Sequence, residues 1–208
     1  VEFSSTDYEL SLVELMPAEI KDSGSICVNA KKVFDIVKEL KDEEVHIRST
    51  EQLWIYITCG SSELRLPSVE VGLYPQTVLE KLPESVTISV DDLKRCIDMT
   101  LFAAITNESR RNLMGVCLCS TSDQQTRWLS TDGHRLAQII KSVDNLIIDA
   151  EQEVIIPRKA LTEVRRAADL FGKTVNITFD SRIMQFSGGQ ISFKTRLIEG
   201  KFPNCDPI

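Results

Sequence analysis

With 208 residues, 42% of them hydrophobic, the chain is long enough to bury one large core or two small ones, and neither disorder nor a membrane span fits it. Its longest apolar runs, such as Val154 to Ile156, are strand-sized, and no N-terminal stretch has the charged, apolar and small-residue order of a signal peptide, so a cytoplasmic location is expected. A formal net charge of −7 argues against tight nucleic-acid binding over the whole surface and leaves room for a local basic strip.

Val1 to Met16 reads as two strands around Asp7-Tyr8, beginning without a cap or lead-in, as a chain entered in mid-domain would. A strand at Ile26 to Val28 enters a helix from about Asn29 to Leu40. Val33, Phe34, Val37 and Leu40 lie on one face of that helix, and Lys31, Lys32, Asp35 and Lys38 on the other. Strands near Glu44 to Arg48, Leu53 to Cys59 and Ser62 to Leu66 follow. Between Pro67 and Ser85 no period is sustained, and prolines at 67, 75 and 83 mark a connector.

A new unit begins at Val86, whose strand runs to Val90 and into a helix capped by Asp91 and reaching about Ala104. Its apolar stripe is Leu93, Cys96, Ile97, Thr100, Leu101 and Ala104. Thr106 to Asn112 is a polar loop carrying Arg110 and Arg111. Strands at Leu113 to Cys119 and Arg127 to Ser130 lead to a hairpin turn at Asp132-Gly133, a second strand from His134 to Ile140, and an acidic loop from Asp144 to Glu153. A strand at Val154 to Ile156 enters a helix with Pro157 at its first position and Gly172 just past its end.

On that helix Ala160, Leu161, Val164, Ala167 and Ala168 share one face. Arg158, Lys159, Thr162, Arg165, Arg166 and Asp169 share the other, a positive face in an acidic protein. Strands at Val175 to Phe179, Arg182 to Ser187 and Gln190 to Lys194 close the unit, and an irregular tail from Thr195 ends the chain. The six cysteines have no C-x-x-C spacing and there are only two histidines, so buried reduced thiols are expected, with no metal site and no cofactor.

The halves repeat: Asp7 matches Asp132, Asn29 matches Pro157, and Gly72-Leu73-Tyr74-Pro75 matches Gly200-Lys201-Phe202-Pro203. Each half holds a hairpin, a strand, a helix and three strands, and Val86 to Cys119 supplies one more strand and helix between them. At the centre stands Thr131-Asp132-Gly133-His134-Arg135-Leu136, where charge, ring and apolar surface meet beside a turn. That mixture suits a docking surface better than a core.

This hairpin, with Ile156-Pro157-Arg158-Lys159 and Arg196-Leu197-Ile198-Glu199-Gly200-Lys201-Phe202-Pro203, closely resembles the bacterial sliding clamp family, the β subunit of DNA polymerase III. The resemblance implies an α+β DNA clamp (processivity) fold, in which repeated strand–helix–three-strand units put helices on the inner face and antiparallel sheets outside. It divides the chain into the C-terminal half of a first domain (1–67), a connector (68–85), a complete middle domain (86–195) and a tail (196–208) leading to a third domain that this fragment lacks. It implies a processivity factor that encircles duplex DNA as a homodimeric ring. Such a factor is not itself catalytic, although the polymerase holoenzyme it serves carries nucleotidyltransferase activity.

By the same resemblance the partners are duplex DNA, held topologically and without sequence preference, and the replicative polymerase, clamp loader and repair proteins, which dock by a short peptide motif. Leu113, Thr131, Gly133, His134, Arg135, Leu136 and Pro203 fall on the partner-peptide groove. Lys31, Lys32, Lys38, Lys94, Arg158, Lys159 and Arg166 would neighbour phosphates, with Arg110 and Arg111 in a loop that touches DNA in relatives. After Phe202-Pro203 the chain departs from the family pattern. Two other readings stand beside this one. The chain could be a protein-interaction module without a DNA role, or a hydrolase using Asp132 to orient His134, although no nucleophile elbow or phosphate-cradling loop accompanies that pair.

Overall fold

The structure, a computed structural model, describes residues 1–41, 44–75, 84–106, 108–121, 123, 125–147 and 153–205. It divides into two compact units, one comprising Val1–Pro17 with Leu79–Ile208 and the other Ala18–Val78. Much of the expected connector, residues 76–83, lies outside the described residues.

In the larger unit β1 (Glu2–Thr6) and β2 (Leu10–Leu15) form a hairpin. β7 (Glu84–Ser89) leads into α2 (Val90–Thr100), and a 3-10 turn follows at Leu101–Ala103. β8 (Gly115–Ser120), β9 (Thr126–Thr131), β10 (Leu136–Lys141), β11 (Asp144–Ile147) and β12 (Glu153–Pro157) precede α3 (Arg158–Arg166), and β13 (Thr174–Phe179), β14 (Ile183–Gly188) and β15 (Ile191–Arg196) end the unit. One sheet has the order β1-β2-β15-β14-β13-β7-β11, and a second has the order β10-β9-β8-β12. Every pairing in both is antiparallel.

The period of two on β13 and β14 sends Val175, Ile177, Phe179, Met184 and Phe186 inward. There they meet Leu93 and Ile97 of α2, Leu161 and Val164 of α3, and Val116, Leu118, Trp128 and Ile156 of the second sheet in one core. Each such side chain contributes about 1.5–3 kcal/mol when fully buried. β8 alternates less cleanly because it is buried on both faces: Cys117 turns away from that core into a second cluster with Leu113, Leu129, Ile155 and Phe202.

In the smaller unit β3 (Cys27–Val28), α1 (Ala30–Val37), β4 (Val45–Thr50), β5 (Trp54–Cys59) and β6 (Ser62–Val69) build a sheet of order β3-β6-β5-β4. Ile55, Ile57 and Cys59 are its buried residues. α1 ends three residues earlier than its sequence predicts and buries nothing; Phe34 is 67% exposed.

The repeat is visible atom by atom at two turns. Asp7 Oδ1 accepts the Glu9 and Leu10 N–H groups (3.1 and 2.9 Å), while Thr6 Oγ1 donates to the Leu10 carbonyl and accepts the Tyr8 N–H. Asp132 Oδ1 likewise accepts the His134 and Arg135 N–H groups (2.9 and 3.0 Å), and Thr131 Oγ1 donates to the Arg135 carbonyl and accepts the Gly133 N–H. Tyr8 at φ 74° and Gly133 at φ 91° occupy the same left-handed position, which glycine adopts without strain and tyrosine does not.

Other expectations shift for local reasons. Ser89, not Asp91, caps α2: its Oγ accepts the Asp92 N–H at 3.0 Å and donates to the Asp92 carboxylate, whereas Asp91, two residues on, already lies inside the helix. Pro157 is the N-cap of α3 rather than its first residue, because β12 keeps pairing through Pro157 with Gly115. The expected acidic loop begins as β11, an edge strand on β7, and residues 148–152 lie outside the described part. β6 continues past Pro67, at a sheet position where proline's missing N–H faces no partner strand.

Since α1 buries nothing and β4 is exposed along nearly its whole length, amides of β4 and β5 should exchange faster than those of β13 and β14; equal protection in a hydrogen-exchange experiment would contradict this. Gly115 faces a different constraint, because a Cβ there would sit 2.2 Å from the Ile156 carbonyl oxygen. Gly115→Ala should therefore force β8 from β12 and cost about 1–3 kcal/mol in denaturant unfolding.

Candidate functional site: a hairpin, a loop and a tail on a doubly buried sheet

The hairpin between β9 and β10 is pinned by the Thr131 and Asp132 hydrogen bonds, which hold the backbone of residues 131–135 without any core contact. Thr131 is buried, Leu136 half-buried, and Gly133, His134 and Arg135 are exposed. Beside it, Glu108–Leu113 forms 3-10 turns kinked at Arg110 in place of the irregular loop expected from the sequence. Arg110 reaches Gly133: a Cβ on that glycine would lie 3.2 Å from its guanidinium. Asn112 Nδ2 donates to the Lys201 carbonyl at 2.9 Å, and Leu113 packs with Phe202 in the second cluster. The Glu153 carboxylate accepts the Phe202 N–H at 3.0 Å.

The loop thus touches the hairpin through Arg110 and Gly133, and the tail through Asn112, Gly200 and Lys201 and through Leu113 and Phe202. Leu113, 3% exposed, forms the floor and not the rim. Arg135 turns aside: its guanidinium bonds Asp132 Oδ2 (2.9 Å) and the Phe102 carbonyl (3.0 Å) and lies over the Phe102 ring. Sequence reasoning missed Asn112, Glu153 and Phe202 as the residues that fasten the tail. The unbroken apolar run Val116 to Cys119 was the available signal, since such a run marks a strand buried on both faces.

Asp132 gives its carboxylate to two backbone N–H groups and one guanidinium, so the orienting bond to the imidazole that the hydrolase reading requires is not the one it makes. Those backbone bonds to His134 and Arg135, followed by the Arg135 guanidinium, hold its carboxyl below the usual range.

The basic residues divide into three kinds. Lys31 and Lys32 are exposed on α1, with no ion pair among the described residues. Lys38 pairs with Asp35, Lys94 with Asp169, Lys159 with Asp7 and Glu9 (2.7 and 3.3 Å), and Arg166 with Glu163. Arg165 joins them through a two-toothed bond to Asp98. The positive face expected on α3 is therefore laced with acids. Arg158 differs most from expectation: half-buried, it donates to the Leu101 carbonyl, which also accepts the Ala104 N–H, and to the Ala104 carbonyl (3.2 Å), just past the end of α2. The Asp7 hydrogen bond, then that to Glu9, raises the Lys159 ammonium, and Lys159 in turn lowers Asp7.

A folded-state carboxyl below its unfolded value adds stability that is fully present above the unfolded pKa, ~3.9 for aspartate, and is lost as pH falls through the folded value. The amide signals of His134 and Arg135 should therefore titrate together in an NMR acid series, with a midpoint below ~3.9. A midpoint at or above it would remove Asp132 as the turn's anchor.

The family model described as "DNA polymerase III beta subunit, central domain" matches residues 87–204, and that of the N-terminal domain of the same subunit matches residues 1–80. The chain is 33% identical over 212 aligned residues to the beta sliding clamp of Staphylococcus epidermidis, covering 97% of this chain and 55% of that protein. Among solved structures it resembles the sliding clamp of Bartonella birtlesii bound to griselimycin (TM-score 0.91, 29% identity, 99% of this chain and 56% of that one). It also resembles Caulobacter crescentus pol III beta (TM-score 0.90, 28% identity, 99% and 57%). The chain thus spans about half the length of the relatives it matches. It has the α+β DNA clamp fold and belongs to the DNA polymerase III beta subunit family, the bacterial sliding clamps.

Proposed function

We propose that this chain is part of a processivity clamp, a homodimeric ring that encircles duplex DNA in the cytoplasm and tethers the replicative polymerase, with clamp loader and repair proteins docking at the same groove. Its domains are then the C-terminal half of a first domain (1–67), a connector (68–85), the middle domain (86–195) and a tail (196–208). The clamp catalyses nothing; nucleotidyl transfer belongs to the polymerase it holds.

One observation carries the reading: loop 110–113 touches hairpin 131–136 at Gly133 and tail 200–203 at Lys201, and Leu113 and Phe202 bury into one apolar cluster with Leu129. An extended peptide would lay its apolar anchors there, between Leu136 and Pro203 and above Leu113, while Thr131, Gly133 and the exposed His134 frame its backbone and Arg135 braces the turn from the side. Membership of the clamp family supports the DNA role. Lys31 and Lys32 offer free charge to phosphates, whereas Lys38, Lys94, Lys159 and Arg166 must exchange a carboxylate partner to do so, and Arg110 and Arg111 extend from the loop. Such pairing keeps each phosphate contact weak, and a ring that must slide needs weak contacts. Arg158 serves this lining by fixing the start of α3.

The test is a titration of the chain with a fluorescent peptide carrying a glutamine and a leucine–phenylalanine anchor. Dissociation at ~1–100 μM is expected for one short anchored peptide. Leu136→Glu should abolish it, and suits better than a change at buried Leu113, which would unpick the floor. Absence of saturable binding, or binding indifferent to Leu136→Glu, would refute the groove. On the full-length ring, Lys31→Glu with Lys32→Glu should shorten retention on circular DNA; unchanged retention would remove α1 from the lining.

A further inference from the structure

The sheet of the smaller unit has a face that neither the groove nor the basic helices use. Pairing puts Arg48, Tyr56 and Arg65 directly across from one another on β4, β5 and β6, with Thr50, Trp54 and Pro67 in the next row and His46, Thr58 and Glu63 in the row before. Strict alternation turns all of them away from buried Ile55 and Ile57. The Arg48 guanidinium carbon lies 4.1 Å from the Tyr56 ring centroid, and that of Arg65 lies 4.6 Å from the Trp54 centroid. Both arginines are exposed, and neither has an ion pair among the described residues.

Stacking holds each guanidinium flat and spends its face, leaving its N–H edge free toward solvent. The two arginines stand on β4 and β6, strands about 10 Å apart at the usual spacing, and both guanidiniums lean over rings of β5 between them. We infer that this ladder is a docking surface for an acidic segment of a partner protein, an extended peptide whose carboxylates engage Arg48 and Arg65 side by side.

Three features favour carboxylates over a nucleic-acid strand. Each ring presents to its arginine a face on which a base would otherwise stack. Among the described residues this face carries two arginines and no lysine, with Glu63 two residues from Arg65, so no basic track is laid out there for a long backbone of phosphates. A planar fork on a fixed ring matches a carboxylate bidentately, which is the geometry that makes arginine selective. The inference stands apart from the clamp reading, since it uses no residue of the groove or of the proposed DNA lining.

The experiment titrates the 208-residue chain with a fluorescein-labelled octapeptide of alternating glutamate and serine, following anisotropy together with Trp54 fluorescence. Saturable binding that changes Trp54 emission is expected, weakened about tenfold or more by Arg48→Gln with Arg65→Gln. Arg48→Lys with Arg65→Lys, which keeps the charge and removes the fork, should weaken it about threefold or more. If the glutamine pair lowers the melting temperature, the lysine pair decides. No saturable binding, affinity unchanged in the lysine pair, or tighter binding of a short oligothymidylate than of the peptide would overturn the proposal, the last by making the ladder a nucleic-acid site.

Discussion

Everything of functional interest in the larger unit depends on one small sheet being buried on both faces. Val116 and Leu118 of β8 enter the main core, while Cys117 between them joins Leu129, Ile155, Leu113 and Phe202 on the other side. The second cluster is small, but in it the loop before β8 and the tail after β15 share an apolar anchor, Leu113 with Phe202. Without it the tail would rest on hydrogen bonds such as Asn112–Lys201, Glu153–Phe202 and Ile198–Ile155, each worth about 0.5–1.5 kcal/mol net.

The hairpin above that floor is held differently. It owes its shape to short-range hydrogen bonds from Thr131 and Asp132 to backbone groups within four residues. These leave the side chains of His134 and Leu136 without a structural task inside the turn. A rigid backbone with uncommitted side chains is what a docking surface requires, because little conformational entropy is then lost on binding. The twin turn at Asp7 uses the same bonds, yet puts Tyr8 where Gly133 stands, so the two copies share a framework and differ in the surface they present.

Arginine is used for three distinct purposes. Arg158 and Arg135 donate to carbonyls just past the end of α2 and so tie the start of α3 and the hairpin to the same 3-10 turn. Arg165 and Arg166 offset acids on their own surface, where each pair contributes little stability but lowers the local field. Arg48 and Arg65 lie on rings. Net charge and helical wheels treat all six alike.

Much was legible without coordinates. The period of two located β13, β14 and β15 to within two residues, Asp-Gly announced the central turn, and the matched motifs disclosed the repeat, because each of these is a local or near-local property of the chain. Cap positions moved by one or two residues where a neighbouring strand or a better-spaced acceptor competed, as at Pro157 and Ser89. The sequence by itself determined most of the strands and all three α-helices, their order, the repeat and the family. Only the tertiary structure decided which cations stay free, that Arg158 is a strap and Leu113 a floor, and that Arg48, Tyr56 and Arg65 stand in one row. Partners for a charge or a ring come from residues far away in the chain, and alternation along one strand carries no information about register with the next.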